Sequence, residues 1–272
     1  MRTVKNHQLA YLKQYTDMMG DEAFTTSIFD CFKFPDLAMI ENEKGNRILI
    51  LSPHQDDDIL GCGGTIKLLR NAGADVKVIY MTDGCMGSNT ISPIELPSIR
   101  KQEAIRALSR LNVHKSEFYG IPDLCLRCDS SAISFVKGQI SSFRPKMIMT
   151  PHAGEYHPDH YNTCMIAAKA LARIKRPIDV YAYEVWVSHD PNTLVDITDV
   201  IEDKLSALRE HHSQMAMVDY AEKIQGLNVY RSINNVPSSK YSEAFLRFTR
   251  EDFIIYADSK SRSSQNFDIM AL

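Results

Sequence analysis

One imidazole and three carboxylates, His54, Asp56, Asp57 and Asp58, crowd onto a single turn directly after the apolar run Ile48 to Leu51. Ionisable groups packed where a buried strand stops carry repulsion and desolvation costs that a bound cation offsets. A second cluster, His157-Pro158-Asp159-His160, follows another short apolar run, Met147 to Met149. Strand ends in an open α/β sheet face a common crevice, so two such clusters can serve one ion. His54, Asp57 and His160 then make a three-ligand nitrogen and oxygen set that suits zinc, with a fourth position left for water.

Each cluster taken alone also reads as a solvated turn, because Pro, Asp and Gly form turns and carboxylates favour helix N-termini. Two His- and Asp-rich turns, each placed after a buried strand, argue instead for one shared site. Asp56 and Asp58 could alternatively form the Asp-x-Asp pair of a metal-dependent glycosyltransferase that uses a nucleotide sugar and holds manganese or magnesium through oxygen. His54 weighs against that, since imidazole suits zinc better than magnesium. Gly61-Cys62-Gly63-Gly64 lacks both the dinucleotide-binding pattern and the Lys-Ser/Thr of a P-loop, so close helix–strand packing is its better reading. No Gly-x-Ser-x-Gly elbow supports a serine hydrolase. The lone C-x-x-C at Cys125 and Cys128 has no second pair or nearby His and reads as structural thiols.

The elements that must position these residues alternate. Strands are expected at Ile48–Ser52, Asp75–Met81, near Glu117–Tyr119, at Lys146–Thr150 and at Val180–Trp186, with helices at 59–73, Leu96–Leu111 and His160–Arg173. One long helix is expected from about Val200 to Met215. Beyond Ala221, residues 226–231 and 242–248 read as ordered, and the Ser-rich stretch 258–267 as loose. Residues 7–19 carry apolar positions near helical spacing. Strand–helix–strand units build parallel sheets with right-handed crossovers. The expectation is an α/β, Rossmann-like, mostly parallel sheet flanked by helices. Residues 1–45 would form a helical extension packed on a single domain spanning 46–272.

With 272 residues, 44% of them apolar, the chain can bury a large core in one domain. A formal charge of −3 gives no basic footprint for nucleic acid or an anionic membrane. No apolar run reaches the length of a membrane span, and the first residues lack the apolar core of a signal peptide, so the expected location is cytoplasmic. Six scattered cysteines without a disulfide-framework spacing fit a reducing compartment.

In this order the motifs resemble those of the PIG-L/LmbE family of zinc-dependent N-acetylglucosamine deacetylases, which carry His-Pro-Asp-Asp-Glu and later His-Pro-Asp-His. Here they stand as His54-Gln55-Asp56-Asp57-Asp58 and His157-Pro158-Asp159-His160, with Gln55 in place of Pro and Asp58 in place of Glu. The likeness continues through Thr82-Asp83-Gly84, the helix start Arg100-Lys101-Gln102-Glu103-Ala104, Gly120-Ile121-Pro122-Asp123, and Lys204, Ala207, Leu208, His211 and Ser213-Gln214.

The resemblance implies an LmbE-like fold and a bound Zn2+, with exchange for another divalent transition metal left open. His54, Asp57 and His160 would be its ligands and Asp56 the general base. His157, held by Asp159, would stabilise the oxyanion and help protonate the leaving amine. Arg100 and Asp123 would contact sugar hydroxyls, and Tyr156 lies one position from where some members carry a catalytic tyrosine. The implied substrate is a small-molecule N-acetyl amino sugar conjugate, GlcNAc-like, with specificity expected in residues 87–97, 124–131, 188–192 and 225–240. A non-catalytic sugar-binding relative is the other alternative. Whether the chain forms a homo-oligomer stays open.

Overall fold

The structure, a computed structural model, describes residues 35–38, 40, 43–235 and 238–268; the helix expected over residues 7–19 lies outside them. Eight strands form one sheet in the order β1-β7-β8-β6-β5-β2-β3-β4. They are β1 (Asp36–Leu37), β2 (Arg47–Ser52), β3 (Asp75–Thr82), β4 (Lys115–Ile121), β5 (Met147–Pro151), β6 (Asp179–Tyr183), β7 (Thr193–Asp196) and β8 (Ser242–Thr249). All pairings are parallel except the two made by β8. The helices are α1 (Asp57–Asn71), α2 (Leu96–Arg110), α3 (Ser130–Phe143), α4 (Pro158–Leu171), α5 (Ile201–Leu208), α6 (His212–Met215), α7 (Tyr220–Ser232) and α8 (Arg250–Asp268).

The central strands are apolar along their whole length because both faces are covered, as parallel strands require. On β2, Ile48 and Ile50 join Val76, Val78 and Tyr80 of β3 in one core with side chains of α1, α2 and α5. Leu49 and Leu51 face the other way, with Ile79 and Met81, into a second core with α3, α4 and α8. The chain leaves β2 toward β3 and β4 on one side, then returns to lay β5 and β6 on the other. The carboxyl ends of β2 and β5 therefore border the switch point where ligands collect in such sheets.

Gly61 shows how closely α1 must approach the sheet. A Cβ there would lie 2.3 Å from the Tyr183 ring and 2.9 Å from the Glu184 carbonyl oxygen. The Gly-rich run thus serves close packing. It also carries a kink, because Cys62 has a non-helical φ of −146° inside α1. The break frees backbone N–H groups in the second half of the helix. Glu243 of β8 receives them: its Oε1 accepts from Gly64 N and its Oε2 from Thr65 N, both at 2.8 Å. Lys204 of α5, fully buried, balances that carboxylate at 2.7 Å and donates to the Leu60 carbonyl at 3.0 Å.

One helix has no counterpart in the sequence expectations, and three expectations need correction. Residues 130–143 form α3, capped by Asp129, whose side chain accepts from Ala132 N. Ile133, Val136 and Ile140 on one face are its buried signal. The helix expected from Val200 to Met215 breaks at His211, with φ −82° and ψ 61°. Glu103 of α2 there captures Ser213 N at 2.8 Å and Ser213 Oγ at 2.6 Å, a tertiary interaction that overrides local helical preference. The strand expected to reach Trp186 stops at Tyr183, and the Ser-rich tail continues α8 as helix to Asp268.

Lys204→Met leaves the Glu243 carboxylate buried without its cation. Urea unfolding should register a loss of about 3–5 kcal/mol, largely recovered in the double variant Lys204→Met/Glu243→Gln. Unchanged stability in the single variant would show that the pair does not hold the kinked helix.

Candidate active site

Parallel pairing of β2 with β5 brings the turn after β2 against the start of α4. Ser52 Oγ staples this turn, donating to His54 O at 2.7 Å and accepting from Asp58 N at 3.1 Å. His54 Nδ1 lies 3.0 Å from Asp57 Oδ2, His160 Nε2 lies 3.1 Å from the same oxygen, and the two nitrogens are 3.3 Å apart. Ligands around zinc at bond lengths of about 2.0–2.1 Å stand about 3.3–3.4 Å from one another in a tetrahedron. The three donor atoms are thus spaced close to the edge of such a polyhedron, and their chemistry suits the ion.

The opposite ring nitrogens are engaged as metal-binding histidines require. His54 Nε2 lies 3.1 Å from Asp123 Oδ1 and 3.4 Å from Asp159 Oδ2. His160 Nδ1 faces Glu155 Oε2 at 3.5 Å, an ion-pair distance. Burial alone would depress His54, but Asp123, Asp159 and Asp57 outweigh it and hold the imidazole well above its ordinary value. Burial likewise opposes charge on His160, yet Asp57 lifts it to about 9. Asp57 answers in kind: burial would raise it, but the two histidines keep it well below the usual carboxylate range.

Asp56 is not hydrogen-bonded to this trio and accepts from Arg100 Nη2 at 2.7 Å. Arg100 is itself buried, and its Nη1 donates to Gly84 O at 3.3 Å. Gly84 has φ +65°, and a Cβ there would stand 2.6 Å from the guanidinium. Arg100, expected at sugar hydroxyls, is thus the partner of Asp56. Asp123, with the same expectation, holds His54 and accepts from Met86 N at 3.3 Å. Asp58 turns elsewhere, accepting from Tyr80 OH at 3.0 Å. Burial, with Asp56 and Asp57 nearby, raises its carboxyl well above the ordinary value. Asp56 and Asp58 have separate partners, and the shared oxygen site of the glycosyltransferase reading finds no support. Gln55 donates from Nε2 to Thr82 O at 2.9 Å, away from the trio.

His157 caps α4. Its Nδ1 accepts from Asp159 N at 3.3 Å, so the neutral ring carries its proton on Nε2. Its ring centroid lies 4.8 Å from that of His54 and 5.0 Å from that of His160. Burial, then the neighbouring histidines, lower its pKa. The Asp159 carboxylate does not hydrogen-bond the His157 ring as expected. Its oxygens accept from Leu124 N at 2.7 Å and Leu126 N at 3.2 Å, fixing the loop that carries Asp123. Tyr156, 77% exposed, points into solvent.

Two further residues near the site have no role assigned from the sequence. Glu155 accepts from Val185 N at 2.7 Å and Trp186 N at 3.1 Å while facing His160, tying the β6–β7 loop to the site; its signal is its place two residues before His157. His211 is fully buried with neither ring nitrogen hydrogen-bonded among the described residues. Burial lowers it to about 4, within the electrostatic reach of Asp56 and Arg100. His152, isolated in sequence, holds the same β6–β7 loop through Val187 O at 2.8 Å.

Residues 49–171, which contain both clusters, match the family description GlcNAc-PI de-N-acetylase, PIG-L. The chain is 33% identical over 186 residues to diacetylchitobiose deacetylase of Thermococcus kodakarensis, covering 62% of this chain and 70% of that one. The chain belongs to the PIG-L family. A probable N-acetyl-α-D-glucosaminyl L-malate deacetylase 2 of Bacillus subtilis is 30% identical over 182 residues, covering 61% of this chain and 82% of the relative. Among solved structures, N,N'-diacetylchitobiose deacetylase from Pyrococcus horikoshii superposes with a TM-score of 0.68 at 28% identity, over 75% of this chain and 84% of that one. This PIG-L member thus shares both its motif-bearing half and its fold with amino-sugar deacetylases.

Histidines must be neutral to ligate a metal. Both site histidines are held charged in the metal-free chain, so metal loading near pH 7 should release about two protons, read by calorimetry in buffers of different ionisation enthalpy. Apparent affinity should climb with pH until about 9, where His160 loses its proton. The sign for metal-free stability is opposite: a raised imidazole stabilises fully below its unfolded value near 6.5 and loses that contribution as pH rises through about 9. Proton release near zero at pH 7 would contradict the ion-pair trio.

Proposed function

We propose that this PIG-L member hydrolyses the N-acetyl group of a GlcNAc-like unit in a small glycoconjugate, giving the free amine and acetate, with zinc at His54, Asp57 and His160. The observation that carries the reading is the near-tetrahedral spacing of three buried donor atoms beside a carboxylate that is not one of them. The deacetylase activity of relatives at 33% and 30% identity supports the reaction class.

A zinc ion held there would polarise the acetamide carbonyl and lower the pKa of water. The protein's own groups do the remaining work. Arg100 occupies Asp56 Oδ1 and orients the carboxylate, and the other oxygen accepts the proton of the attacking water. Asp56 and Asp57 adjoin in the chain yet turn to different partners, so one carboxylate serves as base while the next binds metal. His157, neutral and protonated at Nε2, donates to the carbonyl oxygen as negative charge develops. Nitrogen leaves as the amine after taking the proton that Asp56 acquired, which returns the base to its starting state. Asp123 and Asp159 hold His54 so that Nδ1 faces the metal position.

Among the described residues no helix is long and apolar enough to cross a membrane. Cys62, Cys85, Cys125, Cys128 and Cys164 are free thiols, which supports a reducing, cytoplasmic setting.

Elemental analysis together with acetate release from GlcNAc conjugates tests the reading. Wild type should hold about one zinc per chain. Asp56→Asn should keep the metal and lose about 10²–10⁴-fold in turnover, whereas His54→Ala should lose the metal itself. Near-normal turnover in Asp56→Asn would remove the proposed base, and a zinc-loaded wild type that releases no acetate from any GlcNAc conjugate would sink the reaction.

A further inference from the structure

The polar floor of the site is bordered by an aromatic pair that no motif predicts. Trp186, the only tryptophan of the chain, follows β6, and Tyr220 opens α7; their ring centroids are 5.7 Å apart with planes tilted by 59°. The Trp186 backbone is tied to the residue that backs His160. Its N–H donates to Glu155 Oε1 at 3.1 Å, and the other oxygen of the same carboxylate faces His160 Nδ1 at 3.5 Å. Tyr220 is within electrostatic reach of the base: burial, and after it the charge of Asp56, raise its phenol. The pair is therefore joined to the site by the Trp186 backbone, with the Tyr220 ring against the indole.

The loop bearing Trp186 is rigidly held. Glu155 takes the N–H groups of Val185, Trp186 and Val187, the last at 3.3 Å. Glu184, at the foot of the loop, is gripped by Arg231 of α7, with Nε to Oε1 at 2.9 Å. Arg231 also donates to His189 O at 2.8 Å, closing the far end of the loop. Yet the indole itself remains 42% exposed. Burying a large ring is worth more than leaving it in water, and a site pre-organised this firmly around an exposed ring has the form of a ligand wall. The face of a pyranose that carries its axial C–H bonds is apolar while its rim is hydroxylic, which matches an aromatic surface standing over a polar floor.

We propose that Trp186 and Tyr220 form a carbohydrate subsite, on which the hexosamine ring bearing the scissile acetamide lies with its C–H face against the indole. The inference rests on the deacetylase reading and names what that reading leaves open, the part of the enzyme that selects a sugar over any other acetamide. Neither residue lies in the loop segments where specificity is expected from the sequence. Trp186 and Tyr220 act in binding, so their loss should appear in KM more than in kcat.

The sole tryptophan supplies its own readout. Emission of the zinc-loaded Asp56→Asn variant should change saturably with N-acetylglucosamine and with di-N-acetylchitobiose, and not with N-acetylethanolamine, which has no ring. In the wild-type background, Trp186→Ala should raise KM for di-N-acetylchitobiose about tenfold, with kcat much less affected. Trp186→Phe should recover part of the loss, and deacetylation of the acyclic amide should be indifferent to both changes. An unchanged KM in Trp186→Ala would overturn the subsite, as would emission unmoved by saturating sugar. A response to the disaccharide alone would also overturn it, since the wall would then serve a second ring. Should wild type release no acetate at all, the deacetylase reading fails separately, and the emission titration still decides for or against the subsite.

Discussion

A single buried carboxylate, Asp57, constrains the rest of this molecule. Its Oδ2 stands between His54 Nδ1 and His160 Nε2, and the residue is buried. Charge in such a place must be matched by neighbouring charge or by a metal ion. The two histidines come from strand ends separated by 106 residues of chain, so the match exists only when β2 and β5 pair in parallel and in register. The sheet is built to meet that condition, with both faces of the central strands covered so that their ends stay aligned.

Around this trio the second layer separates tasks between adjacent residues. Asp56, Asp57 and Asp58 are consecutive, yet one pairs with Arg100, one with two histidines and one with Tyr80. Asp57 is held low by the two histidines while burial holds Asp58 high, so neighbouring like groups acquire unlike roles in one site. Asp123 and Asp159 back His54, while Glu155 backs His160 and carries the β6–β7 loop on its other contacts. Geometry at the reacting centre is thereby coupled to the wall that a substrate ring would meet.

Rigidity in the frame comes from charges far from the chemistry. Glu243 closes the break in α1 that its glycines permit, and Lys204 neutralises it. Glu103 pins the α5–α6 corner through Ser213 and so lodges His211 behind the Asp56–Arg100 pair. These contacts keep α1 and α6 from drifting, and both border the base.

By itself the sequence determined the alternation of strands and helices, the two clusters and their convergence on one another. Each of those follows from short-range pattern: apolar runs mark strands buried on both faces, and His- and Asp-rich turns mark their ends. Tertiary structure alone decided the partners. The resemblance implies a sugar contact for Arg100 and support of His157 for Asp159; the fold adds Asp56 as a partner of Arg100, and the Asp123 loop and His54 as partners of the Asp159 carboxylate. The break at His211 and the early end of β6 at Tyr183 are tertiary in origin too, since Glu103 and Glu155 draw backbone or hydroxyl donors away from regular structure. The Trp186–Tyr220 contact joins the loop after β6 to the start of α7, a relation no local period encodes. The reason is physical: burial periodicity is written in each segment separately, whereas a hydrogen bond between distant side chains depends on which strands lie side by side.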